Sequence, residues 1–549
     1  MTAIDNALAR LRATDTLQRA GIEAGVVHEG FRESGVRFAA LGGALEERWH
    51  QAVRELALCI RPIAGSAPVL NEGGVYRGSW IESTGTINSE LLSRFVPEVT
   101  RDTHLLFVAH QRDDGMIPYK VTDAGAGFSQ IQIVTPLART VWNHYLLAGR
   151  NGESDSDYLR TMYDAMVRYD EWLATYRNTR GTGCVEAFCT FDTGHDLSPR
   201  FWHVPDRGYR ADARHYDPDS PILPFLAPDL TANVACQRAY LALIAEELGE
   251  DAAPWREKAK ASLDALWAHC FDAEDGIFYD RDSTGALVRV HSDVLLRALA
   301  CEVGDASFFT ASLERYLLNT GKFFAHYGFT SLAMDDPRFD HDFTRNSWGG
   351  PSNYLSLIRA PHAFEHHGHV TELAFSAMPV LAAMAGHDRF PQCIDPWTGQ
   401  QGFTESYSPS ILWLLDAIER HCGILSRPDG ELWFTGLAPT RLDHGAAVEA
   451  MAYARTVGGI AYELAGDDDR TVVYRDGAPH LEFPRGWRVI TDALGTPAAV
   501  VGMSPRAITG TLTIGDRSVS LTVAGNERVQ LSGVEVVSRT SVGVVTPRA

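Results

Sequence analysis

Two loop segments hold the groups from which acid–base chemistry can be built. In Phe191-Asp-Thr-Gly-His-Asp-Leu-Ser-Pro-Arg-Phe-Trp202, Gly194 frees the backbone and Pro199 stops a helix. Asp196 is therefore expected to project from a loop beside Arg200 and Trp202. In Gly402-Phe-Thr-Glu-Ser-Tyr-Ser-Pro409, Glu405 and Tyr407 stand just before an apolar run with helical spacing. Two carboxyls on separate loops suit glycosidic hydrolysis, in which one protonates the leaving oxygen and the other activates water on the opposite sugar face. Each has a purely structural alternative. Asp196 can be a turn former, and Thr404-Glu405 can cap the helix that follows.

Aromatic and cationic neighbours extend this picture. Trp80, Trp202 and Trp348 lie between polar residues, where an indole offers a flat apolar face to the C–H side of a sugar. The alternative is a loop tryptophan packed over the core. Arg200 can fix a hydroxyl or carboxylate by paired donors, or hold its own loop in place. A rival chemistry lies at Pro361-His-Ala-Phe-Glu-His-His-Gly-His369, where His362 and His366 are one helical turn apart in an inverted zinc-peptidase spacing. The pattern is short, and these histidines are read as starting a helix at Pro361 and facing a rim or the surface. No metal and no cofactor are expected.

The elements that position these loops are mostly helices. Apolar residues recur at helical spacing over 44–60, 100–111, 130–148, 156–177, 230–248, 253–270, 290–303, 306–320, 363–385 and 407–422. They pair into hairpins, and no close repeat favours stacking in a line. A ring of hairpins, with inner and outer layers around a central pit, buries one face of every helix. The long segments 178–228, 321–352 and 386–406 have little periodicity, and loops of that length are usually functional. Beyond Asp467 the spacing changes to short alternating runs such as Thr471–Tyr474, Trp487–Thr491 and Ser518–Val523. The chain thus divides into an N-terminal extension (1–42, with a strand-like pass near 20–40), a helical catalytic region (43–465) and a β-sandwich-like region (466–549).

Composition removes whole classes of function. The net charge is −21, so the surface repels phosphate backbones, and nucleic acid and anionic membrane are excluded as partners. No run approaches a membrane span, and the first residues lack the basic, apolar and small-residue succession of a secretory signal. Eight dispersed cysteines, none in a CxxC pair, read as reduced core residues of a cytoplasmic protein.

Several motifs occur in an order that resembles glycoside hydrolase family 63, the group of mannosylglycerate and glucosylglycerate hydrolases, and more distantly the trehalases. They are Gly115-Met-Ile-Pro118 with Ser129-Gln130, Thr193-Gly-His-Asp-Leu-Ser-Pro199, Asp229-Leu230, Asp275-Gly-Ile-Phe-Tyr-Asp280, Tyr327-Gly-Phe-Thr-Ser331, Ser347-Trp-Gly-Gly-Pro351 and Phe403-Thr-Glu-Ser-Tyr-Ser-Pro409. The likeness covers residues 70–425. It implies an all-α (α/α)6 barrel, an inverting mechanism, Asp196 as acid, Glu405 as base, and Gln130, Trp348 and Tyr407 at the sugar. The chain departs from the group in three places. Gly78-Ser-Trp-Ile-Glu-Ser-Thr-Gly85 replaces an early Trp-Asp pair, Ser347 replaces a tyrosine, and Asn353 stands where an aromatic contacts substrate. The expected reaction is exo-hydrolysis of a small, α-linked glycoside, the only expected partner being that carbohydrate. A sugar isomerase using His195 and one of the 362–369 histidines, or a non-catalytic sugar-binding protein, are the alternatives.

Overall fold

The computed structural model describes residues 2–132, 136–149 and 155–549. The middle of the chain is helix-rich and its C-terminal part is β-rich. Among the described residues no helix is long and apolar enough to cross a membrane.

The helices sort by burial. Ser408–Cys422 is buried along its whole length, and Pro228–Glu247 over most of it. Such helices lie inside a fold, because a helix apolar or small on every side has no face to give to water. Others keep a polar face. Leu45–Cys59 and Ser156–Tyr176 begin with acidic first turns and bury single stripes such as Trp49, Ala52, Val53 and Leu56. The inner helices touch in succession: Asn88–Leu92, Leu137–Gly149, Pro228–Glu247, Val294–Leu299 and Ala360–His366. The last packs on Tyr354–Leu357, which touches Ser408–Cys422, and that helix returns to Asn88–Leu92. The outer partner of Pro228–Glu247 is Ala253–His269, and that of Ser408–Cys422 is Leu45–Cys59.

Helix ends differ from the periodicity in places with identifiable causes. The expected helix 363–385 is two helices, Ala360–His366 and Val370–Ala385, broken where Gly368 turns left-handed at φ 81°. The expected helix 290–303 is reduced to Val294–Leu299, because the chain turns at Glu302 (φ 65°). The helix expected at 130–148 begins at Leu137, and 133–135 lie outside the described residues.

Strands begin earlier than the change in spacing at 467 suggests. Ile424–Ser426, Leu432–Thr435, Ala450–Val457 and Ile460–Gly466 are already strands. The first three are buried on nearly every residue, so they lack the alternation that marks a half-exposed strand, whereas Ile460–Gly466 is buried mainly in its second half. A seven-stranded antiparallel sheet and a six-stranded one result. Phe434 of the second meets Tyr462 of the first at 5.4 Å, edge to face. The strand-like pass near the N-terminus is Arg37–Leu41. It pairs with Ala450–Val457, Phe38 opposite Tyr453, rather than locally. Buried ion pairs join the helix and sheet regions, Glu365 with Arg427 and Arg488 and Glu419 with Arg455, while Asp416 ties Arg94 to Arg420 within the helical part.

Candidate active site

The Asp196 loop is held from below at every turn. Asp192, fully buried, pairs with Arg177 (2.5 and 3.1 Å) and accepts from the backbone of Phe188 at 2.7 Å and of Ile131 at 2.9 Å. Gly194 follows at φ 68°. A Cβ there would collide with the Glu82 carboxylate, so the position admits neither the conformation nor the bulk of another residue. Leu197 is also left-handed (φ 61°), which reverses the chain immediately after Asp196. Ser198 caps the short turn Pro199–Phe201.

Arg200, buried at the end of this turn, donates to both oxygens of Asp229 (3.0 and 3.0 Å) and both of Asp280 (2.7 and 2.7 Å). Its Nη1 also contacts His195 Nδ1. On its other side His195 Nε2 lies 2.7 Å from Asp293 Oδ1. Burial, then the charge of Arg297, push the His195 ring down to about 3. The neutral ring that satisfies both contacts accepts at Nδ1 and donates from Nε2. Arg297 Nη1 donates to Thr193 O at 2.7 Å, and its guanidinium lies 4.7 Å from the centre of the Trp348 ring. Trp348 meets His195 edge-on at 4.8 Å, and its backbone N–H donates to Asp196 O at 2.9 Å.

Above this scaffold opens a cavity of about 280 Å³ whose wall carries three carboxyls, Glu72, Glu82 and Asp196. Asp196 accepts from the Asn346 amide. Asn346 Oδ1 in turn accepts from Gln392 at 3.1 Å, and Gln392 Oε1 from the Tyr76 hydroxyl at 2.7 Å. Burial, with Glu82 and Asp206 adding negative charge, pushes the Asp196 carboxyl up to about 7. Glu72 is likewise pushed up to about 7 by burial, and Glu82 adds to this against hydrogen bonds from Ser83 and Tyr407. Glu82 is raised by burial although Arg359 (3.4 Å), Arg297 (4.0 Å) and Gln132 (2.7 Å) approach it. A buried carboxyl that holds a proton near neutrality is a proton donor in waiting.

Four of the residues expected at a sugar site line this cavity: Trp80, Gln130, Asp196 and Tyr407. Trp80 is brought there by pairing Ser79–Trp80 with Lys120–Thr122, which sets Lys120 Nζ 5.4 Å from its ring. The other five lie elsewhere. Arg200 is spent on Asp229 and Asp280 behind the cavity. Trp348 is buried between Arg297 and His195, Asn353 is buried as the N-cap of Tyr354–Leu357, and Trp202 is 56% exposed. Glu405 is exposed and is not among the residues that line the cavity. The cause is local. Thr404 (φ 63°) and Ser406 (φ 47°) are both left-handed, and the carbonyls of Glu405 and Ser406 pack so closely on Gly74 and Gly73 that neither glycine could carry a side chain. The 362–369 histidines do not line the cavity either, and both nitrogens of His195 are engaged, so no histidine pair is available as proton carriers there.

Sequence reasoning missed Glu72, Tyr76, Glu82, Gln132, Asn346 and Gln392. A signal existed for Glu72. Its Asn71-Glu72 pair stands between the apolar Val69-Leu70 and Gly73-Gly74, a place where an acidic side chain can be carried inward by an apolar strand.

The fold and part of the motif order have known counterparts. The mannosylglycerate hydrolase of glycoside hydrolase family 63 from Thermus thermophilus, crystallised with Tris, is 20% identical, with TM-score 0.56 over 66% of this chain and 98% of that one. The neutral trehalase of Saccharomyces cerevisiae is 16% identical (TM-score 0.50, 64% and 73%). A family GH78 rhamnosidase of a Bacillus species is 11% identical (TM-score 0.50, 78% and 40%). No curated protein matches the chain in sequence. The model of the mannosylglycerate hydrolase MGH1-like glycoside hydrolase domain matches residues 84–410, a span that contains Asp196 and Glu405. The chain therefore belongs to the MGH1-like glycoside hydrolase family.

Proposed function

We propose that the protein is an inverting, exo-acting hydrolase of a small α-linked glycoside with a negatively charged aglycone, working from the mouth of an (α/α)6 barrel that spans roughly residues 43–423. The closed succession of inner helices, with outer partners against Pro228–Glu247 and Ser408–Cys422, supports the barrel. The observation that carries the chemistry is Asp196, buried in the cavity wall with its carboxyl pushed up to about 7. It donates that proton to the leaving oxygen. The cavity floor is made of buried groups (Glu72, Ser83, Tyr407), whereas Lys120 and Arg207 stand at its more open end. A blind pit holds one terminal sugar, and two cations at its mouth suit a carboxylate on the aglycone. Eight free, buried cysteines suit a cytoplasmic setting.

Glu405 is the base in this reading. It stands two residues before Tyr407, which lines the cavity, and two left-handed residues flank it. A β-branched threonine in that conformation is a strained state, the kind that marks a segment with a second arrangement. The base role requires this carboxylate to reach the pit and take a proton from water. Glu82 supports a second reading, because its carboxylate already faces the cavity.

The deciding experiment uses alanine variants and azide on an aryl glycoside. Glu405→Ala should lose about 10²–10⁴-fold in kcat and regain turnover with azide, giving a glycosyl azide of inverted configuration. Proton NMR of the wild-type reaction should show the β-anomer of the sugar first. Azide rescue of Glu82→Ala alone transfers the role to Glu82, and an α-anomer product rejects inversion. At the mouth, Lys120→Glu should raise KM for an anionic glycoside at least tenfold and leave KM for a neutral aryl glycoside within about twofold. Equal effects on both substrates would remove the anionic aglycone from the proposal.

A further inference from the structure

Glu302, His362 and His366 form a second cluster that does not line the cavity. Their ligand atoms, one carboxylate oxygen and two ring nitrogens, all lie within 4.8 Å of one another. Glu302 Oε1 is 2.8 Å from His362 Nε2 and 4.0 Å from His366 Nδ1. The two histidines are one turn apart on Ala360–His366, with rings 6.0 Å apart and 25° from parallel. Glu302 comes from the turn after Val294–Leu299 and reaches them from a left-handed backbone, φ 65°, which a glutamate adopts only when the surroundings hold it there. The Tyr240 hydroxyl donates to the same Oε1 at 2.8 Å and orients the carboxylate. Arg139, the cation beside the cluster, is directed to Ala300 O (2.6 Å) and towards Glu90 (3.8 Å).

We infer that Glu302, His362 and His366 are a binding site for a divalent transition-metal cation, zinc fitting best, which braces the turn after Val294–Leu299 against Ala360–His366. Zinc takes imidazole nitrogen and carboxylate oxygen at about 2.0–2.2 Å, so three of its tetrahedral ligand atoms stand about 3.4 Å apart. Separations of 2.8 and 4.0 Å bracket that value, and rotation of the partly exposed His366 ring closes the difference. Two histidines one turn apart plus one carboxylate leave a fourth position for water. Tyr240 supplies the outer hydrogen bond that such carboxylates usually carry. The arrangement is not a peptidase centre. Glu365, the acidic residue between the histidines, is committed to Arg420, Arg427 and Arg488, and the acidic ligand comes from Glu302 instead.

The test uses the full-length protein stripped with chelator and dialysed against low-micromolar zinc chloride, with bound metal counted by mass spectrometry. Wild type should retain about one zinc per chain, and cobalt in its place should give visible d–d absorption. His366→Ala changes a side chain at the surface and should lose that equivalent, while Glu302→Gln, which keeps the Tyr240 contact, should weaken binding at least about tenfold. Zinc should raise the thermal midpoint of wild type and not that of His366→Ala. His203→Ala, at an exposed histidine elsewhere, should retain the metal. A wild type that takes up no zinc, a His366→Ala protein that still binds one equivalent, or loss of zinc in His203→Ala overturns the site.

Discussion

Asp196→Asn should reduce kcat on a glycoside with a poor leaving group by about 10²–10⁴-fold, the usual contribution of a positioned general acid. On an aryl glycoside with an activated phenolate the loss should be much smaller, because that leaving group departs without a proton. The pH profile supplies an independent check. Asp196 acts only in its protonated form, and its carboxyl is pushed up to about 7 by burial, with Glu82 and Asp206 contributing. Wild-type activity should therefore be full below neutrality and fall as pH rises through about 7. Asp206→Asn removes one of the negative charges that favour the protonated form, so it should move this alkaline limb to lower pH without removing it. Asp196→Asn should abolish the limb. Steady-state kinetics from pH 5 to 9 on both substrates measures all of this. An unchanged limb in Asp196→Asn, or equal losses on good and poor leaving groups, would reject Asp196 as the acid.

Arg200→Met should cost about 3–5 kcal/mol of stability, because breaking a buried ion pair leaves its partners charged and unsolvated. Here Asp280 loses its cation and Asp229 keeps only Arg297, at 3.5 Å; both aspartates are fully or nearly fully buried and each is bonded to Arg200 through both oxygens. The expected readout is a lower urea midpoint, together with lost activity, since the same guanidinium supports His195 next to Asp196. Arg200→Lys should rescue little. An ammonium is a compact point charge and cannot present the planar fork that spans two carboxylates. Replacing Asp229 as well, in Arg200→Met with Asp229→Asn, should recover part of the midpoint by removing one stranded charge. A single Arg200→Met variant as stable as wild type would show that the network is not what holds the loop.

Both results follow from one arrangement. Asp192, His195 and Arg200 of the Asp196 loop are hydrogen-bonded below it, which leaves Asp196 as its carboxyl at the cavity. Its proton affinity is raised there by burial and by carboxyls that come from distant parts of the chain. Glu82 acts on both Asp196 and Glu72, so Glu82→Gln should ease the proton from each of them.

How much of this was legible beforehand depends on whether the relevant interaction is local. Helix positions were readable because an apolar stripe at 3.6-residue spacing states both the element and its buried face, as in Leu45–Cys59 and Ser156–Tyr176. The exposed strands after 467 alternate and were readable too. The buried strands between 424 and 457 were not, since a strand covered on both sides loses its alternation. Gly194, Asp196 and Pro199 announced a loop by backbone chemistry alone. The roles of the polar residues around them were decided only by the tertiary structure. Arg200 reads the same in sequence whether it faces a sugar or two aspartates 29 and 80 positions away. Trp348 likewise reads the same whether it stacks on substrate or on Arg297. Glu405 was placed by its motif, but the direction of its side chain is set by two left-handed neighbours seated on Gly73 and Gly74, more than three hundred residues earlier. Glu72 and Glu82 became part of the site only when the fold laid the early segment 72–83 across the Asp196 loop. Sequence alone therefore determined most of the helices, the later strands and the loop that carries Asp196. Burial and ion pairing depend on which distant residues become neighbours, so the shape of the cavity, the proton affinity of the acid and the placement of the remaining carboxyls were left to the tertiary structure.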